Sequence, residues 1–138
     1  VAAGAGVAPF IALLELLAAR GVHCACTLWM GCRRREDALP HSRRLDAFLQ
    51  RGVLHRLRVA ESRPRQGSRQ LVQAAVLEDA EEIGESLCPG AQAPADGAVM
   101  LVCGAAAMGA AVREAVSGIV RRRGRSVEDL EREGRYAA

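Results

Sequence analysis

Lysine is absent from this sequence: all 19 Lys and Arg positions are arginine, set against 16 Asp and Glu for a formal net charge of +3. A coding bias toward arginine accounts for most of that, but the chemical consequence stands whatever its origin. Any anion site on this chain must use planar, bidentate guanidinium groups rather than ammonium point charges. Aromatic residues are almost as scarce, with one Trp, one Tyr and two Phe. That poverty argues against a base-stacking surface, so no nucleic acid is expected as a partner. No apolar run reaches the roughly 18–20 residues of a membrane span, and no basic segment precedes the N-terminal apolar run. Neither membrane contact nor a secretory leader is therefore expected, and the chain reads as cytoplasmic. The five cysteines, Cys24, Cys26, Cys32, Cys88 and Cys103, are odd in number and irregularly spaced. They read as reduced thiols and not as a disulfide framework. Cys24 and Cys26 fall on one face of an extended segment, but no second Cys or His pair completes a zinc site. No metal is expected.

What is present begins with VAAGAGVAPF. At 138 residues, half hydrophobic and a quarter charged, the chain reads as one domain over 1–138. Its first ten residues form a glycine-rich turn that opens directly into an apolar helix over 9–20. Gly4 and Gly6 carry no Cβ, which permits unusual backbone angles and close approach of a ligand. Pro9 suits the first turn of the helix. A turn of this kind aims backbone N–H groups at a phosphate.

Gly21 stops that helix, and 23–30 (HCACTLWM) reads as a strand covered on both faces. Gly31-Cys32 ends it before the charged loop Arg33-Arg34-Arg35-Glu36-Asp37. Ser42 caps a predicted helix over 43–51. Residues 53–60 alternate apolar and basic, as a strand nearer an edge does. Residues 61–69 are loop, 70–87 one helix, 88–97 a Pro- and Gly-containing loop, 99–102 a buried strand and 105–123 a helix. Ser126 with Asp129 caps a last helix over 127–133.

Helices and strands alternate at this spacing in open α/β folds, with a parallel sheet and helices on both faces. Ligands of such sheets lie outside the carboxyl ends of the strands. The informative loops are therefore 2–8, 31–37, 61–69 and 103–108. Glycines and arginine clusters concentrate in them, which points to a nucleotide site.

In these loops the chain resembles the NADP(H)-binding domain of the ferredoxin–NADP⁺ reductase superfamily, a Rossmann-like domain. Its diflavin reductase branch (cytochrome P450 reductase, sulfite reductase flavoprotein, methionine synthase reductase) is the nearest match. The family's G-T-G-I-A-P-F stands here as Gly4-Ala5-Gly6-Val7-Ala8-Pro9-Phe10, and its F-G-C-R as Met30-Gly31-Cys32-Arg33. Its S-R is Ser62-Arg63, and its K-x-Y-V-Q falls on Arg69-Gln70-Leu71-Val72-Gln73 after a one-residue insertion. Its Y-V-C-G-D with a following Met is Leu101-Val102-Cys103-Gly104-Ala105 and Met108, and its G-R-Y is Gly134-Arg135-Tyr136. The resemblance covers essentially the whole chain.

By that resemblance the domain binds NADPH and presents its nicotinamide to a flavin. Gly4, Ala5, Gly6 and Pro9 approach the pyrophosphate. Ser62, Arg63 and Arg69 grip the 2′-phosphate, with Arg33 and Gln73 nearby. Cys103, Gly104 and Met108 lie toward the nicotinamide. A cysteine at a strand end is usually a small buried hydrophobe; the resemblance makes Cys103 instead a residue that positions the hydride. FAD and FMN would belong to other domains of a parent reductase, which are the implied partners together with a downstream electron acceptor. Three positions depart from the family: Ala5 for its Thr, Leu71 for its adenine-stacking Tyr, and Ala105 for its acidic or Ser residue. The family's sheet order is 3-2-1-4-5, and the chain is expected to lack most of the central first strand and the end of the last. That would leave the edges of 24–30 and 99–103 unpaired. Two rival readings remain beside this one: an arginine-rich anion- or RNA-binding module, and a degenerate interaction domain without redox activity. Arg34 and Arg35 read as surface charge, Cys24, Cys26, Cys32 and Cys88 as structural, and His23, His41 and His55 as lacking catalytic partners.

Overall fold

The first strand, β1, is only Ala2–Ala3, yet it has neighbours on both sides. In the computed structural model, which describes residues 1–89 and 97–138, Ala2 stands opposite Met30 and Ala3 opposite Gly31 of β2 (Thr27–Cys32). On the other side Ala3 N–H donates to the Cys103 carbonyl at 3.1 Å, and Cys103 N–H donates to the Val1 carbonyl at 2.9 Å. β2 continues the sheet to β3 (Arg56–Glu61), and β4 (Met100–Leu101) continues it to β5 (Tyr136–Ala137). Among the described residues every pairing is parallel: a three-stranded sheet β3-β2-β1 and a two-stranded sheet β4-β5. The bridge from Ala2 to Cys103, just past β4, links them, so that the strands follow the order β3-β2-β1-β4-β5. The central strand is short, as expected: residues 1–3 pair with Met30, Gly31 and Cys103, while Thr27, Leu28 and Trp29 of β2 have no β1 partner among the described residues.

The helices return the chain between strands. A 3₁₀ turn at Gly4–Val7 runs straight into α1 (Ala8–Ala19), with Pro9 in its first turn. α2 is Leu39–Gln50 and also carries its proline in the first turn, so Ser42 lies inside the helix and is not its cap. The expected strand at 23–30 starts four residues later. Its ladder with β3 begins only where Thr27 meets Arg56 and ends where Cys32 meets Glu61. Gly31 therefore belongs to the strand. A Cβ there would stand 3.1 Å from the Val72 Cβ and 3.3 Å from the Ala3 Cβ, so the packed layers leave room for little else. β3 likewise starts later than expected, because the Val53 and Leu54 N–H groups turn back to the Phe48 carbonyl at 3.0 and 3.1 Å.

The helix predicted over 70–87 is two helices, α3 (Val72–Glu78) and α4 (Ala80–Leu87), broken at Asp79 with φ −97° and ψ 22°. The Asp79 carboxylate accepts the Trp29 indole N–H at 2.8 Å and faces Arg56 at 3.3 Å. α5 is Ala106–Arg121 and α6 is Val127–Arg132. The expected cap of α6 is present in full, Ser126 accepting from Asp129 N–H at 3.1 Å and Asp129 from Ser126 N–H at the same distance. The predicted loop 88–97 lies, from 90 to 96, outside the described residues.

Two cores form, one on each face of the sheet. The first packs α3, α4, α5 and α6 against β2 through β5 (Trp29, Val76, Val112, Val116, Ile119, Leu130, Tyr136). The second packs α1 and α2 against β1, β2 and β3 (Ala2, Val7, Ile11, Leu28, Leu45, Phe48, with Leu57 and Val59 partly buried against them). Among the described residues no helix is long and apolar enough to cross a membrane.

Candidate functional site

Parallel strands put the starts of their following helices at one end of the sheet, and an open cleft of about 950 Å³ lies there. Its floor comes from β1 and β2 (Ala3, Met30, Gly31), one wall from the turn at Gly4, Ala5 and Val7, and the opposite wall from Ala105, Ala107, Met108 and Ala111. Because Gly4–Val7 is already helical, its leading amides have no carbonyl one turn earlier to serve. Gly4 and Ala5 of this turn line the cleft, at the positive end of the α1 dipole.

The two glycines differ in what they provide. Gly4 sits at φ +57° with nothing within 4 Å of where its Cβ would be, so it is needed for its backbone angle. Gly6 is needed for packing: a Cβ there would fall 2.1 Å from the Cys103 carbonyl oxygen. That contact seats the β1–α1 turn on the end of β4. Gly104 similarly makes room for Met108, whose Cε lies 2.2 Å from the position of a Gly104 Cβ.

The arginine end of the cleft is built by backbone. Ser62 N–H donates to the Cys32 carbonyl at 2.9 Å and Arg63 N–H to the Arg33 carbonyl at 2.8 Å, extending the β2–β3 ladder past the strands. Arg33 and Arg63 therefore emerge side by side on the cleft rim with Arg34. Nearby Arg35 pairs with Glu61 at 3.8 Å and Arg65 with Glu36 at 3.3 Å. Among the described residues, Arg33, Arg34 and Arg63 meet no carboxylate within ion-pair distance. Exposed guanidinium groups without carboxylates, beside a helix N-terminus, leave positive charge for an anion. Asp37, also in the lining, is turned to the backbone, accepting Arg34 N–H at 3.0 Å.

Of the residues expected from sequence, Gly4, Ala5, Arg33, Ser62, Arg63, Gln73 and Met108 line this cleft. Gly6, Pro9, Arg69, Cys103 and Gly104 are not in its lining. Gly6 and Gly104 support the wall, Pro9 starts α1, Arg69 stands exposed on the loop before Gln70, and Cys103 is half-buried at the end of β4. The Ser62 hydroxyl donates to the Cys32 carbonyl at 3.2 Å, so its proton is already engaged. The Cys32 thiol is pushed up by burial and by Glu61 beside it, and donates to the Ala60 carbonyl at 3.7 Å. It is a packed thiol and not a nucleophile. Gln70 and His41 also line the cleft, as does Arg34, which reads from sequence as surface charge. Arg34 is held there by a local turn, its N–H meeting the Asp37 carboxylate and its carbonyl accepting the Asp37 N–H at 3.0 Å. Gly134-Arg135-Tyr136 turns out to be structural: Arg135 donates to the Ser86 and Ala98 carbonyls at 3.1 and 3.3 Å, and Tyr136 is buried in the larger core.

Residues 1–114 match the family model of the oxidoreductase NAD-binding domain. The chain belongs to that family. The match spans the turn at Gly4–Val7, both arginine loops and the start of α5, and it establishes a Rossmann-like, ferredoxin reductase-like domain that binds a pyridine nucleotide for redox chemistry. No curated protein matches the chain. For an NAD-binding domain of this type the cleft has the right fittings: a helix-opening glycine turn at Gly4 and Ala5, an apolar floor, and a cationic rim at one end.

Proposed function

We propose that this domain prefers NADP(H) to NAD(H), and that it presents the nicotinamide to a flavin held outside the chain, as in the diflavin reductases. The observation that carries the preference is the pair Arg33 and Arg63, joined backbone to backbone and lacking carboxylate partners among the described residues. A dinucleotide fold that favours NAD has an acidic residue after its second strand to bind the ribose 2′-hydroxyl. Here that position is Arg33. A 2′-phosphate is a dianion, and two guanidinium forks satisfy it bidentately.

In this reading the amides of the Gly4–Val7 turn hold the pyrophosphate. Ala5 adds no hydroxyl there, and half-buried Leu71 offers the adenine an apolar contact in place of a stacked ring. Met108 and the small residues at the head of α5 shape the far end. Bound nicotinamide supplies the hydride, and FAD, with FMN beyond it, would receive the electrons on the way to a downstream acceptor. Cys103, held by two backbone hydrogen bonds to β1, acts as a positioning residue at that end. Its support is the sequence match of Val102-Cys103-Gly104 together with its place at the carboxyl end of β4.

Titration calorimetry of the chain with NADP⁺ and with NAD⁺ tests the preference. NADP⁺ should bind more tightly, and Arg63→Ala should weaken NADP⁺ by about 1.5–3 kcal/mol while leaving NAD⁺ nearly unchanged. Equal affinity for the two nucleotides overturns the preference. Absence of binding to either supports the rival reading of a domain that has kept the fold and lost the coenzyme.

A further inference from the structure

At the opposite end of the sheet from the coenzyme cleft, where β2 and β3 begin, two thiols meet. The Cys24 and Cys26 sulfurs are 3.5 Å apart and share an S–H···S contact. Cys24 is exposed and Cys26 half-buried. The segment is not a loose tail. Cys26 N–H donates to His55 Nδ1 at 3.2 Å, and the Cys26 carbonyl accepts from His55 and Arg56 N–H at 2.8 and 3.3 Å. Two backbone bonds and one to the His55 ring thus tie Cys26 to the start of β3, and the two-residue spacing brings the other sulfur to the same side.

We propose that Cys24 and Cys26 form a two-point site for a trivalent arsenoxide or a like thiophilic electrophile, bound by both sulfurs at once. Two bonds of about 2.3 Å, the usual length to a thiolate sulfur, subtend about 100° across the observed gap. That is narrower than tetrahedral and suits the pyramidal geometry of a trivalent centre bearing a lone pair. The sulfurs need hardly move. The described residues hold no group of three or more His, Cys, Asp or Glu that could take a metal ion. A divalent cation would therefore lack a complete ligand set here, whereas an arsenoxide is satisfied by two sulfurs and its own organic group.

Protonation favours the same class. Burial, and then the neighbouring Cys24 sulfur, push the Cys26 thiol up to about 11. A dication must displace that proton. An arsenoxide condenses with neutral thiols: R–As=O plus two Cys–SH gives R–As(S–Cys)₂ and one water, with arsenic trivalent throughout and no electrons transferred. Two As–S bonds form, the As=O bond and two S–H bonds break, and both protons leave in the water.

The test is intact-mass analysis of the reduced, full chain treated with one equivalent of phenylarsine oxide. Wild type should carry one adduct, with the mass of the reagent less one water, and should lose two iodoacetamide-reactive thiols. Cys24→Ser and Cys26→Ser should each abolish the retained adduct, and the triple variant Cys32→Ser/Cys88→Ser/Cys103→Ser should keep it. Circular dichroism of each variant verifies that it is folded. An adduct that persists in Cys24→Ser or Cys26→Ser, or that disappears in the folded triple variant, overturns the proposal.

Discussion

Gly4 holds φ at +57° in open space, while Gly6, two residues on, has ordinary angles and no room. A sequence motif treats the pair as one feature, but substitution should separate them. Asn tolerates the left-handed region, so Gly4→Asn should melt near wild type. Gly6→Ala must push a methyl group into the Cys103 carbonyl, a backbone group fixed by its bond to Ala3. Overpacking of that kind costs about 1–3 kcal/mol. Chemical denaturation of the two variants checks this, and a Gly6→Ala midpoint equal to that of wild type would show that the joint between β1 and β4 yields easily. The residues that give the rim its charge follow the same logic. Arg33 and Arg63 are legible as arginines in the right loops, but their adjacency depends on a hydrogen bond between residues thirty apart, which no local pattern encodes.

Whole elements were legible where their signals are local. The capping box at Ser126 and Asp129 is written within four residues and places the start of α6 correctly. The break between α3 and α4 is not, because its cause is Trp29, fifty residues away. An unbroken apolar stripe over 70–87 reads as one helix until the Asp79 carboxylate is found committed to an indole N–H and to arginines of β3. β1 and β5 were hard to read for another reason. Strands of two residues have no measurable alternation, and they exist because longer neighbours supply their partners. The break yields a prediction. Asp79→Ala leaves the mostly buried Trp29 N–H without its acceptor, which should cost about 1–3 kcal/mol. Asp79→Asn keeps a carbonyl acceptor, and should recover most of the loss while giving up the attraction to Arg56. Urea midpoints for both variants decide it: equal losses would mean that charge, and not the indole bond, is what Asp79 contributes.

Across the whole molecule the sheet is narrowest at its centre. β1 joins β2 and β3 to β4 and β5 through two residues, so the ladder alone is a slender connection. The second core does not reinforce it, because it covers only the β1–β2–β3 side and leaves Leu101 of β4 partly exposed. The first core does, since Trp29 and Ala60 from one half share it with Met100, Tyr136 and the buried face of α5 from the other. Cooperativity between the halves must therefore run mainly through side-chain packing beneath α3 and α5. Ile119, on α5 and 2% exposed, sits in that layer. Ile119→Ala should cost about 2–5 kcal/mol. The single Trp, Trp29, reports on β2, while far-UV circular dichroism reports largely on the helices. If the packed layer unites the halves, both signals should shift to the same lower midpoint in the variant, as one two-state transition requires. A helical signal that moves while Trp29 fluorescence stays at the wild-type midpoint would show the halves unfolding separately, with β1 as a hinge between them.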